Sequence, residues 1–143
     1  MGLFKKAKTK QEITFMERQV PGLTKQVNES LNLVDSTIKP DVYFSRYDFL
    51  LETLERLSEI AKHVKITGGK PSDLLKKLSS RKVREESVNN FIKRSHDKMM
   101  ADATTLKTDK SRSTKVSKYF DEMGKYTKNM YPSNITLLKD LKG

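Results

Sequence analysis

The chain has 143 residues, the length of one domain, of which 35% are hydrophobic and 33% charged. That apolar share is below the ~45–50% usual for globular domains, yet too high for disorder to be the default. Its 29 Lys and Arg outnumber 18 Asp and Glu, for a net charge of +11, and the lack of cysteine excludes disulfide frameworks, thiol catalysis and Cys-based zinc or iron–sulfur centres.

Met1 to Lys10 reads as a flexible basic arm, with Leu3 and Phe4 beside Lys5, Lys6, Lys8 and Lys10. The lysines interrupt the apolar run of ~7–15 residues that a secretory signal needs. Lys6 stands where the myristoylation pattern requires Ser or Thr. No window approaches the ~18 apolar residues of a membrane span, and a cytoplasmic protein is expected. The sequons at Asn28 and Asn134 then read as chance matches.

Ile13, Met16 and Val20 fit a short helix ahead of Pro21-Gly22, and Val27, Leu31, Val34 and Ile38 fit a second one ahead of Pro40. From Asp41 to about Ile66 the apolar residues Tyr43, Tyr47, Leu50, Leu54, Leu57, Ala61 and Val64 recur at alternating intervals of four and three. This is one face of a long helix, with Pro40 in its first turn and Gly68-Gly69-Pro71 beyond its end. Leu50, Leu54 and Leu57 are expected to be its most buried residues. Pro71-Ser72-Asp73 predicts the cap of a short stretch, Leu74 to Leu78. Val88, Phe91, Ile92, Ser95, Met99, Ala103 and Leu106 keep a helical period from about Ser80 to Leu106. Val116, Tyr119, Phe120, Met123, Thr127 and Met130 do so from about Lys110 to Asn129, before Tyr131-Pro132. Ser133 is placed to cap a last turn or two carrying Ile135, Leu138 and Leu141.

No strand alternation, repeat or low-complexity linker interrupts this series. Short connections leave successive helices little choice but to pack side by side, so the expected fold is all-α: an antiparallel helical bundle of three to five helices forming a single domain over 1–143. Charge is uneven along it, +3 over 1–40, −1 over 41–66, +4 over 67–106 and +5 over 107–143. Asp48, Glu52, Glu55 and Glu59 line one side of the long central helix. The expectation is that they face Lys and Arg of neighbouring helices, at ~0–1 kcal/mol per exposed pair.

The segment Lys39-Pro40-Asp41-Val42-Tyr43-Phe44-Ser45-Arg46-Tyr47-Asp48, running into Leu50–Leu57, resembles one found in short Lys-rich helical proteins of Firmicutes and their prophages. The basic Lys107–Lys118 stretch, Tyr119-Phe120-Asp121-Glu122-Met123 and Ile135–Leu141 are similar to the tails of such proteins. Together these cover about half the chain. The resemblance implies a helical fold and a phage or mobile-element setting, and it supplies no function.

Catalytic and cofactor chemistry finds little footing. Glu59 and His63 are i, i+4 on one helix and could share a metal ion, but no further ligands accompany them, so a surface pair is expected and no metal or other cofactor is assigned. Ser95-His96-Asp97 spells the residues of a hydrolytic triad, yet neighbouring side chains on a helix point ~100° apart. Thr67-Gly68-Gly69-Lys70-Pro71-Ser72 lacks the spacing of a phosphate loop, and Pro71 removes an N–H that such a loop would use.

Binding is the remaining class. A non-enzymatic protein that engages an unidentified protein partner through a helical face is the first expectation; a second copy of the chain is one such candidate. Nucleic acid is the alternative, through two basic connections. One holds Lys107, Lys110, Arg112, Lys115 and Lys118, with Ser111, Ser113 and Thr114 as further donors. The other holds Lys76, Lys77, Arg81, Lys82 and Arg84. If both lie at one end of the bundle they form a single positive surface for phosphates. Lys110, Arg112 and Lys115 are all expected to point to solvent. Weak contact of the basic arm with an anionic membrane surface is a third possibility.

Overall fold

Thr9 opens the first helix: its hydroxyl accepts from the Glu12 amide at 3.1 Å, and its own amide donates to the Glu12 carboxylate at 3.1 Å. This reciprocal cap satisfies two backbone donors that the helix cannot. The Thr9 amide also holds the Glu12 carboxyl below its ordinary pKa. The computed structural model describes residues 8–143. Of the expected flexible arm, residues 1–7 lie outside these, while Thr9 and Lys10 belong to the cap and first turn of a helix.

The described residues are all-α, with no strand among them. They form six α-helices rather than three to five: α1 (Lys10–Ser36), α2 (Pro40–Ala61), α3 (Pro71–Ser79), α4 (Arg81–Thr104), α5 (Asp109–Gly124) and α6 (Pro132–Lys142), with a 3-10 turn at Thr127–Asn129.

The expected break at Pro21-Gly22 is absent, because α1 runs through Pro21 without interruption. The apolar spacing explains why. Met16, Leu23, Val27, Ser30 and Val34 stay on one face across the proline, and all are buried or half-buried. Packing of that face therefore outweighs the ~3 kcal/mol that an interior proline costs. Arg56 of α2 reaches back to Gln19 at 2.8 Å, just before the proline.

Helix α2 starts at Pro40, where a missing N–H costs nothing, and stops at Ala61 instead of Ile66. Gly68 and Gly69 follow at φ 92° and 111°, the left-handed region that side chains disfavour. They turn the chain into α3, which begins at Pro71 itself. Leu50 and Ile60 are fully buried, and Tyr43 and Tyr47 (both 1% exposed) are slightly more so than Leu54 and Leu57 (2% and 3%). The aromatic half of the stripe thus lies as deep as the leucines. The Ser80 hydroxyl caps α4 by accepting from the Val83 amide at 3.3 Å, and Thr108 caps α5 through the Ser111 amide at 3.0 Å. Helix α6 starts at Pro132 rather than after a Ser133 cap. The Ser133 hydroxyl instead donates to the Glu85 carboxylate on α4.

Two apolar clusters hold these helices. In one, Tyr43 stacks on Phe91 at 4.4 Å and Phe44 on Tyr126 at 5.3 Å, with Val88, Ile92, Phe120, Met123 and Leu138 around them. The other is aliphatic: Val27, Leu50, Leu54 and Leu57, with Leu23, Leu31, Leu74 and Leu75 against them. Leu78 touches both, and its carbonyl accepts from the Tyr47 hydroxyl at 2.6 Å. Asn134 is fully buried and ties α6 to α4, donating to the Glu85 carbonyl at 3.0 Å and the Asn89 side chain at 2.7 Å. A sequon asparagine so engaged is closed to glycosylation in the folded chain.

Candidate binding surfaces

The two basic connections do not meet. Lys76 and Lys77 close α3 and Arg81, Lys82 and Arg84 open α4, whereas Lys107 lies beyond the far end of α4 and Lys110 to Lys118 lie in α5. At ~1.5 Å per residue, the 24 residues of α4 set its two ends about 36 Å apart. Their arginines are also engaged inside the fold. Arg84 binds Asp48 of α2 at 3.1 Å and lies over the Tyr47 ring at 4.8 Å. Arg81 lies 5.0 Å over the Tyr131 ring and 3.7 Å from Glu85.

Arg112, expected in solvent, instead fastens the start of α5. It donates to the Leu106 carbonyl at 2.5 Å and to the Asp109 carboxylate. The reason is angular: Arg112 is four residues before Val116 and eight before Phe120, on the face turned to the core. That spacing is readable in the sequence. Lys110 and Lys118 lie exposed on the opposite side with Ser111 and Thr114, whereas Lys115, also expected in solvent, is half-buried at the flank of the core face beside Val116; neither they nor Lys107 form an ion pair among the described residues. Lys76, Lys77 and Lys82 are likewise without an ion pair among the described residues.

The acidic side of α2 is mostly solvated. Asp48 reaches Arg84 of α4; Glu59 pairs with Lys62 at 2.9 Å, and Glu52 and Glu55 are exposed without an ion pair among the described residues. Ser95 does not face a relay. Its buried hydroxyl lies 2.7 Å from the Tyr119 hydroxyl and donates to the Ile92 carbonyl at 3.1 Å, while His96 packs on Tyr119 and Phe120. Among the described residues no three His, Asp or Glu side chains are grouped to hold a metal ion, and no helix is long and apolar enough to cross a membrane.

The feature that sequence reasoning missed is a groove beside α3. This helix has no buried residue of its own and packs mainly on α2 and α4. A cleft of about 490 Å³ opens between α1 and α3, walled by Thr24, Val27, Asn28 and Leu31 on one side and by Lys70, Leu74 and Lys77 on the other. Leu54 and Leu57 of α2 form its floor, and Ile66 to Gly69 close one end. A second cleft of about 540 Å³ meets it at Leu31, Leu74 and Lys77 and continues to Asp35, Glu86 and Arg94. The signal available in the sequence is α3 itself: a nine-residue helix is too short to cover neighbours more than twice its length.

Comparison of the chain with protein-family models, with curated proteins and with solved structures finds no match.

Proposed function

We propose that this protein acts without catalysis, by binding a protein partner along the groove between α1 and α3. The observation that carries the reading is the cleft itself, where Leu31, Ile66 and Leu74 are half-buried above a buried aliphatic floor of Val27, Leu54 and Leu57. A concavity of a few hundred Å³, apolar inside and rimmed by polar groups, is the usual form of a recognition site. In this reading the helices run as an antiparallel bundle joined by tight connections such as 37–39 and 105–108, the protein is cytoplasmic, and its setting is a phage or mobile element.

A photo-activatable phenylalanine at Asn28, on the groove wall, tests the proposal against the same residue at Glu52 on the solvated side of α2. The expected result is a discrete protein adduct from position 28 in expressing cells, insensitive to nuclease, and none from position 52. Equal labelling from both positions, or none from either, overturns it.

A second reading is nucleic-acid binding, favoured by Lys110, Lys115 and Lys118 of α5, which form no ion pair among the described residues. Gel-shift titration with mixed duplex and RNA at two salt concentrations separates the two. Replacing those three lysines with Gln would then flatten the salt dependence by ~0.7–0.9 of slope for each phosphate left without its cation. No binding at low salt removes this reading.

A further inference from the structure

We infer, resting on the groove reading above, that the partner inserts an amphipathic helix of about three turns whose acidic flank faces α3. The length comes from the α1 wall. Thr24, Val27, Leu31 and Asp35 follow one another at helical spacing, and the 11 residues they span rise ~17 Å, about three turns. The form comes from the lining. The described residues hold no strand, so there is no sheet edge for an extended peptide to join. The accessible apolar lining is Leu31, Ile66 and Leu74, half-buried over the buried Leu54 and Leu57, rather than the aromatic ledges that grip proline-rich segments. A half-buried aliphatic lining of this kind is matched by apolar residues at i, i+3, i+4 and i+7 of an entering helix.

The charge comes from the α3 rim. Lys70 and Lys77 are exposed and form no ion pair among the described residues, with Asp73 the acid between them, so the rim is net positive. Across the groove Thr24 and Asn28 are uncharged. At the far end Asp35 and Glu86 offset the positive charges of Arg94 and Lys77, so that end has no net positive rim. Acidic residues about two turns apart, i and i+7, therefore fit the Lys70–Lys77 half of the groove alone. Such rim charges set selectivity between partners more than total affinity.

Two fluorescent 14-residue peptides test this, alike in their leucine stripe and differing in Glu or Lys at the i and i+7 flank. Anisotropy titration is expected to show the Glu peptide binding at least tenfold tighter. Lys70→Glu with Lys77→Glu should reverse the preference, and Lys70→Gln with Lys77→Gln should abolish it, a pair of variants in which a folding defect in one is caught by the other. Asn28→Trp, which fills the groove without removing core, should weaken both peptides more than tenfold. If the peptides bind equally well, unaffected by the lysine variants but lost in Asn28→Trp, the acidic flank is wrong and the groove reading stands. If neither peptide binds, or Asn28→Trp changes nothing, the groove reading falls with it.

Discussion

Arg94 of α4 closes the C-terminal end of α1 by donating from Nη2 to the Val34 carbonyl at 2.9 Å, while its Nε donates to the Thr37 carbonyl at 3.0 Å. The last carbonyls of a helix have no partner within it, and a planar guanidinium can serve two of them at once. Burial lowers the pKa of Arg94 from its ordinary value, and the group remains charged. Arg94→Lys keeps the charge but loses the fork, and should cost about 1–2 kcal/mol; Arg94→Met should cost about 2–3 kcal/mol. Urea denaturation gives both values. Equal stability of Arg94→Lys and the parent would mean that charge alone, and not the two-carbonyl geometry, holds α1 to α4.

Ser30 is fully buried, and its hydroxyl has no hydrogen-bond partner among the described residues. A buried hydroxyl left unpaired costs roughly 1–3 kcal/mol, and Ala is also the better helix former. Ser30→Ala should therefore raise stability by about 1 kcal/mol, seen as a higher urea midpoint at unchanged slope. A lower midpoint would show that the hydroxyl is satisfied after all, by a water held against α1.

Periodicity carries the helix positions because apolar spacing is a local property. The stripe from Tyr43 to Leu57 and that from Val88 to Ala103 are buried as their intervals predict. Sequence and structure part where a distant contact overrides a local signal. Pro21 reads as a break until the face on which Met16 and Val27 both lie is packed. Arg112 reads as surface charge until Leu106 and Asp109 come within its reach. The groove leaves one local trace, the shortness of α3, but its position is a space between α1 and α3 set by tertiary packing. Of its rim lysines, Lys77 reads from the sequence as a phosphate ligand at a connection, and Lys70 as part of a turn.

Burial pushes the Tyr43 phenol up to about 12 from 10, partly offset by the Ser87 hydroxyl 2.7 Å away. Tyr47 and Tyr119 are raised by burial as well. A raised pKa in the folded state means that the neutral phenol is favoured there. The associated stability is complete below pH 10 and is lost as pH climbs towards 12, because the unfolded chain ionises first. A difference of about two units corresponds to about 3 kcal/mol from Tyr43. Urea midpoints should fall steeply from pH 10 upward, and less steeply in Tyr43→Phe, which cannot ionise. Identical alkaline profiles for the two proteins would show that Tyr43 ionises freely and that its ring is not sealed against Phe91.

Pro21 interrupts the hydrogen-bond ladder of α1, since it has no N–H to donate to the Glu17 carbonyl. It is exposed, so its ring contributes little packing in exchange. Replacing it with Ala restores the donor and removes the clash with the preceding turn, a gain of up to ~3 kcal/mol. The unfolded chain meanwhile gains freedom, which offsets ~0.4–1 kcal/mol of that. Pro21→Ala should therefore stabilise the protein by about 2 kcal/mol with little change in helical circular dichroism, because the helix already spans the site. A decrease in stability would show that a bend at Pro21 is needed to seat Met16. Slower amide exchange confined to residues near Pro21 would show instead that the proline had kept the two ends of α1 from unfolding as one unit.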